Sequence, residues 1–256
     1  MPRIDVQELR DKVKVMYRAV AEEPNGRFHF EMGRTLAERL GYPPGELDAA
    51  PAEAIDSFAG VGYHLGLADV VSGDRIVDLG SGSGMDAFVA AGRTGPRGRV
   101  VGIDMTEEQL AKARRLAQRD GYSNVSFEQG YIEATPLPGE SADLVISNGV
   151  INLCDDKAAV FREIFRLLAP GGRMAISDIV TEQELTEAIV CDVNLWASCI
   201  GGAMQQGDYR DAITASGLEV CEVKDNVDYR FISDSAQGAT TTFGVKSISV
   251  LAARPA

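Results

Sequence analysis

Apolar residues recur every three or four positions near the start of the chain, at Val6, Leu9, Val13, Met16, Tyr17 and Val20. Those steps lay one apolar stripe along a helix, so residues 5–20 are predicted as an amphipathic helix. Residues 24–62 are turn-rich, with short helical patches at 34–40 and 52–58. From residue 75 the pattern changes. Short apolar runs at 75–79, 99–103, 125–129, 142–147 and 173–178 read as strands, with helical segments at 85–93, 107–120 and 157–168. Leu144-Val145-Ile146 is apolar without a break, as a strand covered on both faces should be. Pro170-Gly171-Gly172 reads as a turn ahead of the fifth strand. The remainder gives helices at Leu185–Ile200 and Tyr209–Ser216, the latter followed by Gly217, and strands at 218–223 and 246–252.

Strand and helix alternating across short turns predict an α/β fold. The expected form is a doubly wound, Rossmann-like seven-stranded sheet with helices on both faces and an N-terminal helical lid. The boundaries are residues 1–62 for the lid and 63–256 for the main domain, in one compact unit overall.

The chemistry concentrates where the first strand ends, in Val77-Asp78-Leu79-Gly80-Ser81-Gly82-Ser83-Gly84. Glycine at every second position lets backbone amides approach a ligand with no Cβ in the way. The following helix aims its N-terminal amides and positive dipole end at the same spot. Asp78 adds a carboxylate, which suits a zwitterionic ligand with a cationic part better than a bare pyrophosphate. Asp104 ends the second strand, where an acid accepts hydrogen bonds from ribose hydroxyls. Thr106, followed by Glu108 and Gln109, is the better cap for the next helix, which frees Asp104 for a ligand. A dinucleotide site wants G-x-G-x-x-G, and Met85 stands where its last glycine would be.

Charge narrows the partners. A net charge of −13 argues against nucleic acid, and the cluster Lys112, Arg114, Arg115 and Arg119 reads as a solvated helix face. No apolar run is long enough to span a membrane, and residues 1–10 do not resemble a signal peptide. Cys154, Cys191, Cys199 and Cys221 form no C-x-x-C pair and have no zinc spacing with His29 or His64, so no metal site is expected. Reduced thiols in the cytoplasm are the expectation.

Taken together, the glycine loop, Asp78, Asp104, the Pro-Gly-Gly string and the two late strands resemble class I S-adenosylmethionine-dependent methyltransferases. The resemblance implies S-adenosylmethionine as cofactor, with S-adenosylhomocysteine as product, and a small-molecule acceptor. It implies that Asp78 and Gly80, Gly82 and Gly84 hold the methionine part and that Asp104 holds the ribose. Met105 would pack on adenine, Ile132 and Glu133 would flank it, and Asn148 would face the reactive end. Tyr17, Phe28, Phe30 and Tyr63 are candidate aromatics for the sulfonium, with Tyr17 favoured over the others as core residues. His29 and His64 are candidate bases, each more readily read as surface or core. Oligomeric state stays open between monomer and homodimer.

A narrower resemblance, to arsenite methyltransferases, runs through VDLGSGSGMD, GIDMTEEQL, SNGVINLCDDK, PGGRMAISDIV and CIGGA, across roughly residues 70–205. That family binds trivalent arsenic through cysteines. Cys199 matches one of them. A second position holds Gly149, and residues 57–75 contain no cysteine for a third. Cys154 would substitute after a loop shift. On one intact helix Cys191 lies about 12 Å from Cys199, too far to share a metalloid. Two readings therefore stand: transfer to another small acceptor, and methylation of arsenite using Cys199 with Cys154. Tyr17, Asn148 and Cys199 are the candidate catalytic residues. An NAD-dependent oxidoreductase and a non-catalytic cofactor-binding protein are the alternatives from other classes.

Overall fold

Strand β1 (Arg75–Leu79) pairs in parallel with β2 (Arg99–Asp104) on one side and β4 (Ala142–Asn148) on the other. β3 (Val125–Gln129) extends the sheet beyond β2, and β5 (Leu168–Thr181) extends it beyond β4. β8 (Lys246–Ala253) runs antiparallel between β5 and β7 (Glu219–Asp225). The order β3-β2-β1-β4-β5-β8-β7 contains the seven expected strands, and the two-residue β6 (Met204–Gln205) pairs with β5 off this path. The computed structural model describes residues 5–192, 195–196 and 200–256.

Period-two burial explains the layers. Ile76, Leu144 and Ile146 point into a core shared with α5 (Met85–Thr94) and α6 (Glu107–Arg119). Their neighbours Val77, Leu79 and Val145 point into a second core with α7 (Lys157–Leu167) and α9 (Gln206–Ala215). Helices thus cover both faces. Each side chain buried this way stabilises the fold by roughly 1.5–3 kcal/mol relative to exposure. The strand order reverses at β1, so the carboxyl ends of β1 and β4 open a crevice there.

The N-terminal region supplies α1 (Val6–Glu22), α2 (Gly33–Leu40), α3 (Pro44–Ala49) and α4 (Ala52–Asp56). Asp5 caps α1 by accepting from the amides of Gln7 and Glu8. Leu9, Val13 and Val20 of the predicted stripe are buried. The Tyr17 carbonyl of α1 accepts from Gln109 Nε2 of α6 at 2.8 Å, and its Ala21 carbonyl accepts from Lys112 Nζ at 3.1 Å.

Three expectations need correction, and three elements were not anticipated. Pro170-Gly171-Gly172 is no separate turn: Ala142 pairs with Leu168 and Leu144 with Arg173, so residues 169–172 bulge out of one long β5. Gly171 has φ +76°, and the bulge is tied down by Gly171 N–H to Arg254 O and Arg254 N–H to Gly172 O. The helix expected at Leu185–Ile200 is interrupted. Among the described residues of this segment only α8 (Glu187–Val190) and residues 195–196 are helical, and Cys191 and Asp192, which follow α8, are not. The separation argued for Cys191 and Cys199 therefore loses its premise. Cys199 itself lies outside the described residues. Lastly, α3, β6 and α10 (Asp234–Phe243) were not anticipated.

Candidate active site

The glycine loop is held in shape by its own backbone. Gly80, Gly82 and Gly84 have φ of +73°, +52° and +94°, a region other residues enter only with strain. A Cβ on Gly80 would lie 2.4 Å from the Val150 side chain, and one on Gly84 would lie 2.7 Å from Phe127. Two of the glycines therefore make room for protein neighbours. Gly80 and Ser81 N–H donate to Ile103 O at 2.8 and 3.0 Å, and Gly84 N–H donates to Ser81 O at 2.9 Å. Gly82 N–H donates to Asp104 Oδ2 at 2.9 Å. These amides were expected to be offered to a ligand, yet they fix the loop instead. Met85 and Asp86, the first residues of α5, line the crevice.

Asp104 is not free in the way its sequence context suggested. Its second oxygen accepts from Thr106 N–H at 2.8 Å, while Thr106 makes no side-chain cap. The carboxylate therefore ties the end of β2 to the glycine loop. Each oxygen keeps further acceptor capacity toward the cleft it lines. Burial raises its pKa, opposed by those two amides.

Asp78 is 2% exposed, and its Oδ2 has no hydrogen-bond partner among the described residues. Burial pushes its carboxyl well above the usual range, and the nearby charges of Asp86 and Asp104 push it further. A buried carboxylate oxygen without a partner is costly. A cation placed in the cleft removes that cost.

These residues belong to a cleft of about 1090 Å³, its open mouth included. The glycine loop and Asp78, Asp86 and Asp104 line it, together with Leu9, Arg10, Val13 and Tyr17 of α1. Met105, Ile132, Glu133 and Asn148 also line it. Of the candidate site residues that are described, only Gly84 stands behind the lining, at the cap position before α5. Phe28, Phe30, Tyr63, His29 and His64 do not line it. Tyr63 bonds to Arg93, and His64 is fully buried.

Asn148 reaches the cleft with its side chain already engaged. Oδ1 accepts from Val61 N–H at 2.8 Å and Gly62 N–H at 3.3 Å. Nδ2 donates to Gly62 O at 3.0 Å, Asp86 Oδ2 at 3.1 Å and Tyr42 Oη at 3.1 Å. Tyr42 Oη in turn donates to Asp86 Oδ1 at 2.5 Å. The asparagine fastens the N-terminal region to the end of β4. Tyr42 and Asp86 are the residues that sequence reading missed, since nothing local joins them to Asn148.

Cys154 lines the cleft without any loop shift. Its sulfur lies 3.8 Å from Glu133 Oε2, and Glu133 Oε1 accepts from Arg10 Nη2 at 2.6 Å. Burial, with Glu133 beside it, pushes the thiol up to about 12. Lys157 is buried and donates to the Cys154 carbonyl at 2.8 Å, and it lies 4.9 Å from the Trp196 ring. Asp178 accepts from Asn152 Nδ2 at 2.6 Å and Tyr209 Oη at 2.8 Å. Two buried charged groups therefore anchor the loop that carries the thiol. Arg114, Arg115 and Arg119 pair with Glu107, Glu53 and Asp120, which matches a solvated face, whereas Lys112 is half-buried and donates to Ala21 O and Ser57 Oγ.

A methyltransferase domain family model matches residues 71–217, more than half of the chain. The arsenite methyltransferase of Halobacterium salinarum is 38% identical over 200 residues, covering 77% of this chain and 51% of that protein. The chain thus spans about half the length of the curated relatives it matches. An arsenic (III) S-adenosylmethionine methyltransferase from Chlamydomonas reinhardtii superposes with a TM-score of 0.69 at 31% identity, covering 88% of this chain and 75% of that one. A geranyl diphosphate methyltransferase in complex with sinefungin gives 0.71 at 18% identity, covering 96% and 99%, a likeness of fold alone. The strand order, the glycine loop above an acid-lined cleft, and these likenesses agree: the chain belongs to the methyltransferase domain family, on its S-adenosylmethionine-dependent, arsenite-methyltransferase-like side.

Proposed function

We propose that this protein transfers a methyl group from S-adenosylmethionine to a small-molecule acceptor in the cleft between the glycine loop and α1. The observation that carries this reading is the unpartnered, buried Asp78 oxygen beneath a preformed glycine loop. It is a place for the cationic part of a zwitterion. Asp78 would hold the methionine portion, with the backbone of Gly80 and Gly82 lining its place and Gly84 shaping the loop from behind. Asp104 would hold the ribose, and Met105, Ile132 and Glu133 the adenine. The cofactor supplies an already activated methyl group, so strong acid–base chemistry is not required of the protein.

The protein's part is to position and to exclude water. Asn148 acts by fixing residues 61–62, next to the lining residues Ala59 and Gly60, not as an acid or base. Tyr17 presents its ring to the cleft from α1, and residues 1–62 serve as the cap. A cytoplasmic location fits the free thiols of Cys154 and Cys221. Calorimetry with S-adenosylhomocysteine tests the reading. Wild type should bind, and Asp104→Ala should bind at least about tenfold more weakly. Absence of binding at millimolar ligand overturns it.

A second reading, methylation of arsenite held by Cys154 with Cys199, is supported by the position of Cys154 in the cleft. Its raised thiol pKa works against a thiolate ligand. Incubation with arsenite, a thiol and the cofactor should then yield methylated arsenic that Cys154→Ser no longer makes. Equal yield from that variant sinks this version while leaving methyl transfer intact.

A further inference from the structure

Three carboxyl groups meet at the glycine loop: Asp78 near the end of β1, Asp86 in the first turn of α5 and Asp104 at the end of β2. Two of them are supplied with donors. Asp86 accepts from Tyr42 Oη at 2.5 Å on one oxygen and from Asn148 Nδ2 at 3.1 Å on the other. Asp104 accepts from Gly82 N–H at 2.9 Å and from Thr106 N–H at 2.8 Å, again one to each oxygen. Donors aimed at a carboxyl favour its ionised form. Asp78 has the Ala87 amide beside it, but its Oδ2 has no partner among the described residues, at 2% exposure.

The elements around Asp78 bring it no countercharge. In the sheet, β2 sets Gly102 beside it and β4 sets Ile146. α5 adds the charge of Asp86, and the end of β2 adds that of Asp104. Tyr42, between α2 and α3, has its hydroxyl kept protonated by burial. Arg10 of α1 lines the same cleft but is paired with Glu133 at 2.6 Å, and Asp155 there is acidic. His64 feels Asp86 and is held neutral by burial. An ionised Asp78 would thus be buried beside two carboxylates with no cation, a cost that a proton removes. A bound ammonium removes it too, and a carboxyl facing an ammonium gains most when ionised. Resting on the methyltransferase reading, we infer that the free protein holds Asp78 as the neutral acid and that the cofactor's ammonium displaces its proton, one released for each cofactor bound. The Asp78 O–H bond breaks, the proton passes to solvent, and an ammonium–carboxylate pair takes its place. The ligand's own carboxylate shares a carbon with that ammonium. Turned toward the acids, it would draw a proton in instead.

Calorimetric titration of the full chain with S-adenosylhomocysteine, repeated in buffers of different ionisation enthalpy from roughly pH 5 to 8, counts the protons exchanged. Wild type should release close to one proton per ligand at the acid end and none once free Asp78 is ionised. In the releasing range, affinity should fall about tenfold for each pH unit lowered. Asp78→Asn should exchange no proton, and His64→Leu should behave as wild type. Carboxyl-carbon NMR reads the site directly and does not depend on the variant's affinity. The Asp78 resonance, assigned by its absence from Asp78→Asn, should lie at the protonated position in free wild type at the acid end and move to the ionised position with ligand. Proton uptake, an enthalpy independent of buffer at every pH, or release that persists in Asp78→Asn overturns the inference. So does an Asp78 resonance that is ionised without ligand throughout the range. If S-adenosylhomocysteine does not bind wild type at all, the methyltransferase reading falls and this inference with it. If it binds without releasing a proton, only the neutral Asp78 is wrong.

Discussion

At the residue scale, the three glycines of the loop are alike in sequence and unlike in cause. Gly80 has a left-handed backbone and a neighbour at 2.4 Å, whereas Gly82 has the backbone but nothing closer than 3.8 Å to its would-be Cβ. Gly82→Ala should therefore cost about 1–2 kcal/mol for the backbone alone. Gly80→Ala should cost a further ~1–3 kcal/mol for overpacking against Val150. Thermal melts followed by circular dichroism check this, and equal losses would refute the distinction. The spacing of these glycines was legible from the sequence because turn geometry is local. The capture of Asp104 by Gly82 N–H was not, because the partners are separated by all of α5 and nearly all of β2.

At the element scale, α1 is fastened over the cleft by unequal contacts. Gln109, 1% exposed, accepts from Ser83 Oγ at 2.5 Å and donates to the Tyr17 carbonyl at 2.8 Å, so it joins the glycine loop to α1. Gln109→Ala leaves a buried hydroxyl without its acceptor, at about 1–3 kcal/mol. It should speed limited proteolysis between α1 and α2 and weaken S-adenosylhomocysteine binding. The Arg10–Glu133 pair, 32% and 18% exposed, is worth under about 1 kcal/mol, so Arg10→Ala should leave the melting temperature nearly unchanged. The stripe on α1 was readable because its period is that of a helix. α10 escaped notice because its sequence, DSAQGATTTF, contains one glycine and three threonines, all weak helix formers. Its ends are held by a Ser233 cap and by Gly244 at φ +63°, and its burial rests on Ala236 and Ala239.

At the scale of the whole molecule, pH should act through buried groups outside the cleft lining as well as within it. His64 is fully buried, and neither ring nitrogen has a hydrogen-bond partner among the described residues. Burial holds its pKa below the ordinary 6.5. The unfolded chain therefore takes up a proton before the folded one does. Stability is complete above about pH 6.5 and is lost as pH falls from there through the folded value. His64→Leu removes that contribution, so its melting temperature relative to wild type should rise as pH drops below 6.5. A difference independent of pH would contradict the assignment. By itself the sequence determined the alternation of strand and helix, the two-faced sheet, the glycine loop and the methyl-donor family. Those depend on periodicity and turn chemistry within a few residues. Only the tertiary structure decided that Asn148 is occupied by Val61 and Gly62, that Cys154 lines the cleft and that five acids line it with one arginine among the described residues. Such facts arise where segments distant in sequence meet, and hydrogen-bond capacity and charge are shared out only once the chain has closed on itself.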